Sequence, residues 1–234
     1  MLATMAMLGR KEDLVVSGPR GIFNFVKNAM EVVGDPPFNV RVYEVEPTEE
    51  VRDIINEENF GLQCVLAKHS ITDCTYALIW RTYVGKFNPE RARDLGVPVT
   101  YWKRLHMGET VVLDDGRIIR PEDVVEITSS GVLKIVYTGD TAPTDNVVSI
   151  AKDAQLLIHE STFSATEDAN LVWNQGHSRS IDAAKIAKDA GVNRLVLTHI
   201  SNRYSDPEQL AWEASEIFPN VVAARDLMSL IINT

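Results

Sequence analysis

Three times in the carboxy-terminal part of the chain, a short apolar run stops at a polar or charged residue, passes into a loop and leads to an amphipathic segment. Leu133–Tyr137 ends at Thr138-Gly139-Asp140, Leu156–Ile158 at His159-Glu160, and Arg194–Leu197 at Thr198-His199. Runs of this length between polar residues suit buried strands. The segments between them suit helices over Asp145–Ala151, 179–190 and Pro207–Phe218; in the second, Ile181, Ala184, Ala187 and Ala190 recur every three residues and Gly191 closes the helix. Repeated strand, loop and helix is the pattern of a layered α/β protein whose chemistry lies at the strand ends. Val221–Ala223 and Leu227–Ile232 are expected as closing strands.

The amino-terminal half is less regular. Leu14–Val16 reads as a strand ending in the turn Ser17-Gly18-Pro19-Arg20-Gly21, followed by a helix over Ile22–Val32 that Gly34-Asp35-Pro36-Pro37 stops. Val40–Glu44 alternates as a half-exposed strand would, and Cys64–Ala67 and Thr75–Trp80 are further strands joined by the polar stretch 68–73. Asn88-Pro89-Glu90 opens a short helix over 89–94, and Asp114-Asp115-Gly116-Arg117 turns a hairpin between Thr110–Leu113 and Arg117–Ile119. With 234 residues, 45% of them apolar, the chain has material for one domain with a core of its own. It holds no apolar run long enough to span a bilayer, and its start is a poor secretory signal; no membrane partner is expected. Two cysteines, Cys64 and Cys74, are too few for a disulfide scaffold, so a reducing cytoplasm is the expected compartment.

A net charge of -10 argues against a protein that wraps nucleic acid over its whole surface. The charge is uneven, however. Residues 31–60 carry nine acids against Arg41 and Arg52, whereas residues 81–104 carry Arg81, Lys86, Arg91, Arg93, Lys103 and Arg104 against Glu90 and Asp94, together with Tyr83, Phe87, Tyr101 and Trp102. Basic residues interleaved with aromatics can grip a phosphate backbone and stack on bases; they can equally form a solvated loop with a small aromatic cluster.

Four of the five histidines, His69, His159, His177 and His199, lie in loops or at strand ends, as does Asp140. Imidazole and carboxylate oxygen are ligands that zinc takes, although no compact HxH or HExxH spacing is present. Trp173–Ser178 reads as a loop at the head of the 179–190 helix, where Ser178 or Ser180 could cap the helix and Asp182 sits in the first turn. His177 could stand there over a phosphate and protonate a leaving oxygen, or be an incidental surface histidine.

Taken together, Tyr137-Thr138-Gly139-Asp140-Thr141, His159-Glu160-Ser161-Thr162-Phe163, Gly176-His177-Ser178 and Thr198-His199-Ile200-Ser201-Asn202-Arg203-Tyr204 resemble the ribonuclease Z family, the tRNA 3′-processing endonucleases of the metallo-β-lactamase superfamily. Order and gaps match as well, and the likeness extends upstream through Asp115-Gly116-Arg117, Gly85-Lys86-Phe87 and the Gly18-Pro19-Arg20-Gly21 turn. The resemblance implies an α/β (α+β sandwich), metallo-β-lactamase-like αββα four-layer fold over 1–234, amino-terminally truncated, with a protruding substrate-binding arm at about 81–104. It implies a zinc-dependent endoribonuclease that removes the 3′ trailer from precursor tRNA. His69, Asp140 and His199 resemble zinc ligands, His177 the histidine near the scissile phosphate, and Glu160 with His159 the pair that orients it. Lys86, Arg91, Arg93 and Lys103 fall on the arm, and Arg203 and Tyr204 on the active-site rim.

The family's HxHxDH motif, which supplies further zinc ligands and the catalytic base, does not occur in these residues. Of the two zinc ions of the complete family, one, weakly held, or none is therefore expected here, with impaired turnover. A sheet short of its first strands would expose an edge and an apolar face. Expected covers are a homodimer, an amino terminus rearranged through Leu2, Met5, Met7 and Leu8, or a separate chain. The alternatives to a tRNA nuclease are a phosphodiesterase of the same fold acting on small substrates and a non-catalytic structural chain.

Overall fold

The structure is a computed structural model that describes residues 1–57 and 59–232, with the side chains of 82–84 and 127–130 outside the described set; Tyr83 therefore lies outside it. In chain order the elements are α1 (Leu2–Met7), β1 (Leu14–Pro19), α2 (Ile22–Val33), β2 (Val40–Val45), β3 (Arg52–Asn56), β4 (Phe60–Leu66), β5 (Cys74–Phe87), α3 (Pro89–Asp94), α4 (Val99–His106), β6 (Val111–Val112), β7 (Ile118–Ile119), α5 (Pro121–Val124), β8 (Val125–Tyr137), α6 (Asp145–Ala151), β9 (Leu156–Glu160), α7 (Ala169–Asn174), α8 (Ser180–Asp189), β10 (Leu195–Thr198), α9 (Glu208–Ser215) and β11 (Val221–Ala223).

Seven strands form the main sheet in the order β11-β10-β9-β8-β5-β4-β3. From β11 to β8 the strands are parallel, and from β8 to β3 each neighbour is antiparallel. This mixed order places the site. The carboxyl ends of β8, β9 and β10 come to one edge because the strands are parallel, with Tyr137 opposite Ile158 and Glu160 opposite Thr198. Since Tyr76 lies opposite Tyr137 in the antiparallel pair, the 67–73 turn between β4 and β5 reaches the same edge.

Directly opposed residues share a face. Ala77, Val136, Leu157 and Leu195 point to the side covered by α6, α8 and α9, where Val147, Ile150, Ala183, Ala184, Ala187 and Leu210 complete the main core. The other face carries the opposed pairs Leu78–Ile135, Trp80–Leu133 and Tyr76–Tyr137, and it is open: Leu78, Trp80 and Tyr137 are 39%, 47% and 51% exposed. A separate two-stranded parallel sheet, β1–β2, carries α2. The amino terminus does not bury its apolar residues, since α1 contains none that is buried and Met7 and Leu8 are exposed.

Between the far ends of β5 and β8 the chain forms a knob with a second core of Ala92, Val97, Leu105, Val111, Leu113, Ile119, Val124 and Val125. The expected 89–94 helix and the hairpin at 114–117 lie in it. Asn88 caps α3 by accepting hydrogen bonds from the backbone N–H groups of Glu90 and Arg91. The structure adds what the sequence reading omitted: α4, the strand β3, the helix α7, and β5 and β8 extended to 14 and 13 residues. It also corrects one expectation. Leu227–Ile232 is not a strand; among the described residues β11 pairs only with β10, and Leu227 is fully exposed at a positive φ of 61°. An apolar run without a neighbouring strand has no ladder to join.

Candidate active site

Asp140, Glu160 and His199 come from the ends of β8, β9 and β10, His69 from the turn before β5, and His177 from the turn between α7 and α8. They converge. His69, Asp140 and His177 each place one ligand atom within 4.8 Å of the others, and so do Glu160, His177 and His199. The His177 ring lies 5.1 Å from that of His69 and 5.4 Å from that of His199, and His199 Nδ1 is 3.5 Å from an Asp140 carboxylate oxygen.

Two glycines make this closeness geometrically accessible. Gly176 has a φ of +80°, and a Cβ there would stand 2.5 Å from His69 Nδ1 and 3.0 Å from its Cα. Gly139 has a φ of +64°, and a Cβ there would meet Asp73 Oδ2 at 2.7 Å. Asp73 in turn accepts hydrogen bonds from the backbone N–H groups of Cys74 (2.7 Å) and Asp140 (3.2 Å), pinning the Asp140 loop. His199 itself is in the left-handed region at φ +52°, the kind of backbone strain that concentrates at functional sites.

Glu160, 1% exposed, has no oxygen to spare. Oε1 accepts from Thr141 N–H (3.1 Å) and His177 Nδ1 (2.8 Å), and Oε2 from the N–H (3.0 Å) and hydroxyl (2.9 Å) of Thr162. With all four lone pairs engaged, one of them by His177, it has none left for a metal. Of the pair expected to orient His177, Glu160 makes the hydrogen bond to it. His159 is fully buried, its Nδ1 is 2.6 Å from the carbonyl oxygen of Glu160, and its Nε2 has no partner. Burial holds the His159 imidazole below its usual pKa and favours the neutral ring.

The donors left available to a metal are thus His69, Asp140, His177 and His199. At His69, Nδ1 lies 3.0 Å from the carbonyl oxygen of Gly176, which can only accept, so Nδ1 carries the proton and Nε2 keeps its lone pair. His177 is held in the same sense by Glu160. Imidazoles fixed through one nitrogen and open at the other, beside a carboxylate, form a donor set that fits zinc.

At the helix head both serine hydroxyls are already engaged. Ser178 donates to the Thr141 carbonyl oxygen (2.7 Å), Ser180 Oγ to Glu213 (2.6 Å) and Ser180 N–H to the Phe163 carbonyl oxygen (2.9 Å). Neither serine caps α8; Asp182 closes its first turn, accepting from the N–H of Arg179, from its guanidinium and from Trp173 Nε1. Burial pushes the Asp182 carboxyl up, but those donors outweigh it and hold it below the usual aspartate value.

At the rim, the Arg203 guanidinium lies 4.9 Å over the Phe163 ring and 3.2 Å from Glu167, and Tyr204 donates to Glu167 while accepting from Ser164 N–H. The knob's basic residues Lys86, Arg91, Arg93 and Lys103 are all exposed and away from the histidine cluster. Its aromatics Phe87, Tyr101 and Trp102 pack on the knob's own core, with Trp102 Nε1 bonded to the Val97 carbonyl oxygen, so they form an aromatic cluster and not a row of free stacking platforms. His106 belongs to this cluster and not to the site. The residues missed by sequence reasoning are Asp73, Thr141, Thr162 and Glu213, which support the site through contacts distant in sequence; only the closeness of Thr141 to Asp140 and of Thr162 to Glu160 marked any of them.

No family model matches the chain. Ribonuclease Z of Gemmatimonas aurantiaca is 41% identical over 230 residues, covering 97% of this chain and 72% of that protein. Ribonuclease Z of Methanosarcina mazei is 37% identical over 234 residues, covering 98% and 74%. Among solved structures, human tRNase Z, short form, superimposes with a TM-score of 0.64 at 21% identity over 100% of this chain and 72% of that one. The metallo-β-lactamase fold protein YhfI from Bacillus subtilis does so with a TM-score of 0.58 at 19% identity, over 96% and 68%. At these identities the structural likenesses establish the fold, which is the metallo-β-lactamase-like α/β fold expected from the sequence.

Proposed function

Since the chain belongs to the ribonuclease Z family, we propose that its activity is metal-dependent hydrolysis of the phosphodiester that joins precursor tRNA to its 3′ trailer. The observation that carries this reading is the convergence of His69, Asp140, His177 and His199 at one sheet edge. Zinc would be held by His69, Asp140 and His199, and when bound it supplies a Lewis acid for the phosphodiester and an activated water. His177, its Nδ1–H engaged by Glu160 at 2.8 Å, has Nε2 free to take up a proton, and in that imidazolium form it gives the Nε2 proton to the leaving 3′ oxygen. Arg203, laid over Phe163 beside His177, supplies positive charge at the rim. The exposed Lys86, Arg91, Arg93 and Lys103 of the knob meet the tRNA backbone, which supplies the local positive patch that a chain of net charge -10 needs.

Among these residues the three ligands His69, Asp140 and His199 are fewer than two zinc ions require, so weak zinc binding and slow turnover by this chain alone accompany this reading. We also propose a cytoplasmic location and a homodimer that covers the open sheet face.

The test is zinc content measured together with precursor-tRNA cleavage, on this chain and on a version extended upstream by the corresponding segment of the Gemmatimonas protein. The extended version is expected to bind zinc tightly and to cut at the 3′ end of the tRNA, and the present chain to do both poorly. Tight zinc with cleavage of a small diester but not of precursor tRNA would transfer the assignment to a small-substrate phosphodiesterase. Absence of zinc from both folded proteins would transfer it to a non-catalytic chain.

A further inference from the structure

One hydroxyl touches three members of the cluster. Thr162 lies two residues beyond Glu160 and is 8% exposed. Its Oγ1 is 2.9 Å from Glu160 Oε2, 2.8 Å from His199 Nδ1 and 3.3 Å from His177 Nδ1. A hydroxyl has one proton to give and two lone pairs to receive with. The Glu160 carboxylate can only accept, so the hydroxyl proton goes there. His177 directs its own Nδ1–H to Glu160 at the shorter distance of 2.8 Å. His199 Nδ1 must then be the donor to Thr162, and the competing Asp140 oxygen at 3.5 Å is too far to take that proton.

From this we propose that Thr162 is a positioning residue that holds His199 as the Nδ1–H tautomer and keeps its Nε2 lone pair facing the metal position. The proposal rests on the reading of His199 as a zinc ligand. It also places all three open imidazoles in one protonation pattern, with Nδ1 anchored in turn by the Gly176 carbonyl oxygen, the Glu160 carboxylate and the Thr162 hydroxyl. Thr162 is well placed to impose this. Its backbone N–H is bonded to Glu160, its carbonyl oxygen accepts from Ser201 N–H at 3.2 Å, and its branched Cβ restricts χ1. Glu160, Thr162 and the 199–201 loop are thereby joined in one hydrogen-bonded unit. Removing the hydroxyl would free the His199 ring to exchange tautomers or flip, and would leave Glu160 Oε2 short of a donor.

The experiment uses the full chain labelled with ¹⁵N at histidine, at a pH where the imidazoles are neutral, with zinc alone as the probe. Ring ¹⁵N shifts report the tautomer and a chelator competition reports affinity, for the unaltered protein, Thr162→Val and Thr162→Ser. Expected are an Nδ1–H His199 in the unaltered chain, loss of that signature and a zinc affinity weakened about 10–100-fold in Thr162→Val, and recovery of both in Thr162→Ser. A purely structural role would alter folding stability without selectively changing the His199 tautomer. If Thr162→Val keeps the Nδ1–H signature and its zinc affinity, the proposal is overturned. Should Thr162→Val not fold, an Nε2–H His199 in the unaltered chain overturns it equally. If the tautomer follows Thr162 but neither this chain nor the version extended upstream binds zinc, the positioning role stands and the zinc-ligand reading fails.

Discussion

At the residue scale, the site depends on close approaches that only particular side chains, or none, permit. Gly176 is the sharpest case, because a methyl there would collide with His69 while forcing an L-residue to a φ of +80°. Gly176→Ala is expected to cost about 1–3 kcal/mol of stability. It should also displace His69, so that zinc affinity falls further than the stability loss alone explains; a denaturant melt paired with a zinc titration separates the two. Such contacts mark the limit of what can be read from sequence. Asp140, Glu160 and His199 were legible because each follows an apolar run that is recognisably a strand. Asp73 and Thr162 were not, because their importance lies in where a turn aims one oxygen, and no periodicity encodes that.

Between residue and fold, α9 secures the site through Glu213. Its carboxylate accepts from Ser164 Oγ (2.7 Å), Ala165 N–H (2.8 Å), Ser180 Oγ (2.6 Å) and Gln209 Nε2 (3.2 Å). Ser164 follows Thr162 by two residues and Ser180 follows His177 by three, so one side chain restrains both loops. Burial pushes Glu213 up, and these donors outweigh it to hold its pKa below the usual 4.5. A carboxyl depressed on folding contributes stability that is complete above its unfolded value and is lost as pH falls through the folded one. Glu213→Gln is therefore expected to lower stability by about 1–3 kcal/mol at neutral pH. It should also flatten the loss of stability below pH about 4.5, where the unaltered chain loses this contribution; urea melts across pH 3–7 check both. The helices α6 and α8 were readable from periodicity and small-residue spacing. By contrast α4 and α7 begin where loop-like residues dominate, although Asp168, whose side chain accepts from Leu171 N–H, was a usable start signal for α7. The Leu227–Ile232 pattern misled because strandedness needs a partner, and partners are a property of the whole sheet.

For the whole molecule, the main sheet is covered on one side by helices and open on the other at Leu78, Trp80 and Tyr137. Contiguous apolar surface of this kind promotes association. The proposed homodimer predicts a concentration-dependent dimer in analytical ultracentrifugation, shifted to monomer by Leu78→Glu with Trp80→Glu; a protein that stays monomeric at high concentration would rule it out. The knob answers to a separate test. Neutralising Lys86, Arg91, Arg93 and Lys103 together is expected to weaken precursor-tRNA binding and reduce its salt dependence, leaving the circular dichroism spectrum unchanged. Unchanged affinity at low salt would refute the tRNA contact. Fold class was the most legible property of all, because the alternation of strands and helices that specifies it is distributed over many residues and survives errors at single elements.

The two chain crossings that carry the knob are themselves paired neighbours, Phe87 opposite Val125. Everything between them is organised around its own apolar centre, so its removal would leave a hairpin that a tight turn could close. The knob is thus a detachable module whose junctions already match; if it makes the proposed tRNA contact, exchanging it with that of a relative should redirect which nucleic acid is held while the histidine cluster at the opposite end of the ribbon stays as it is.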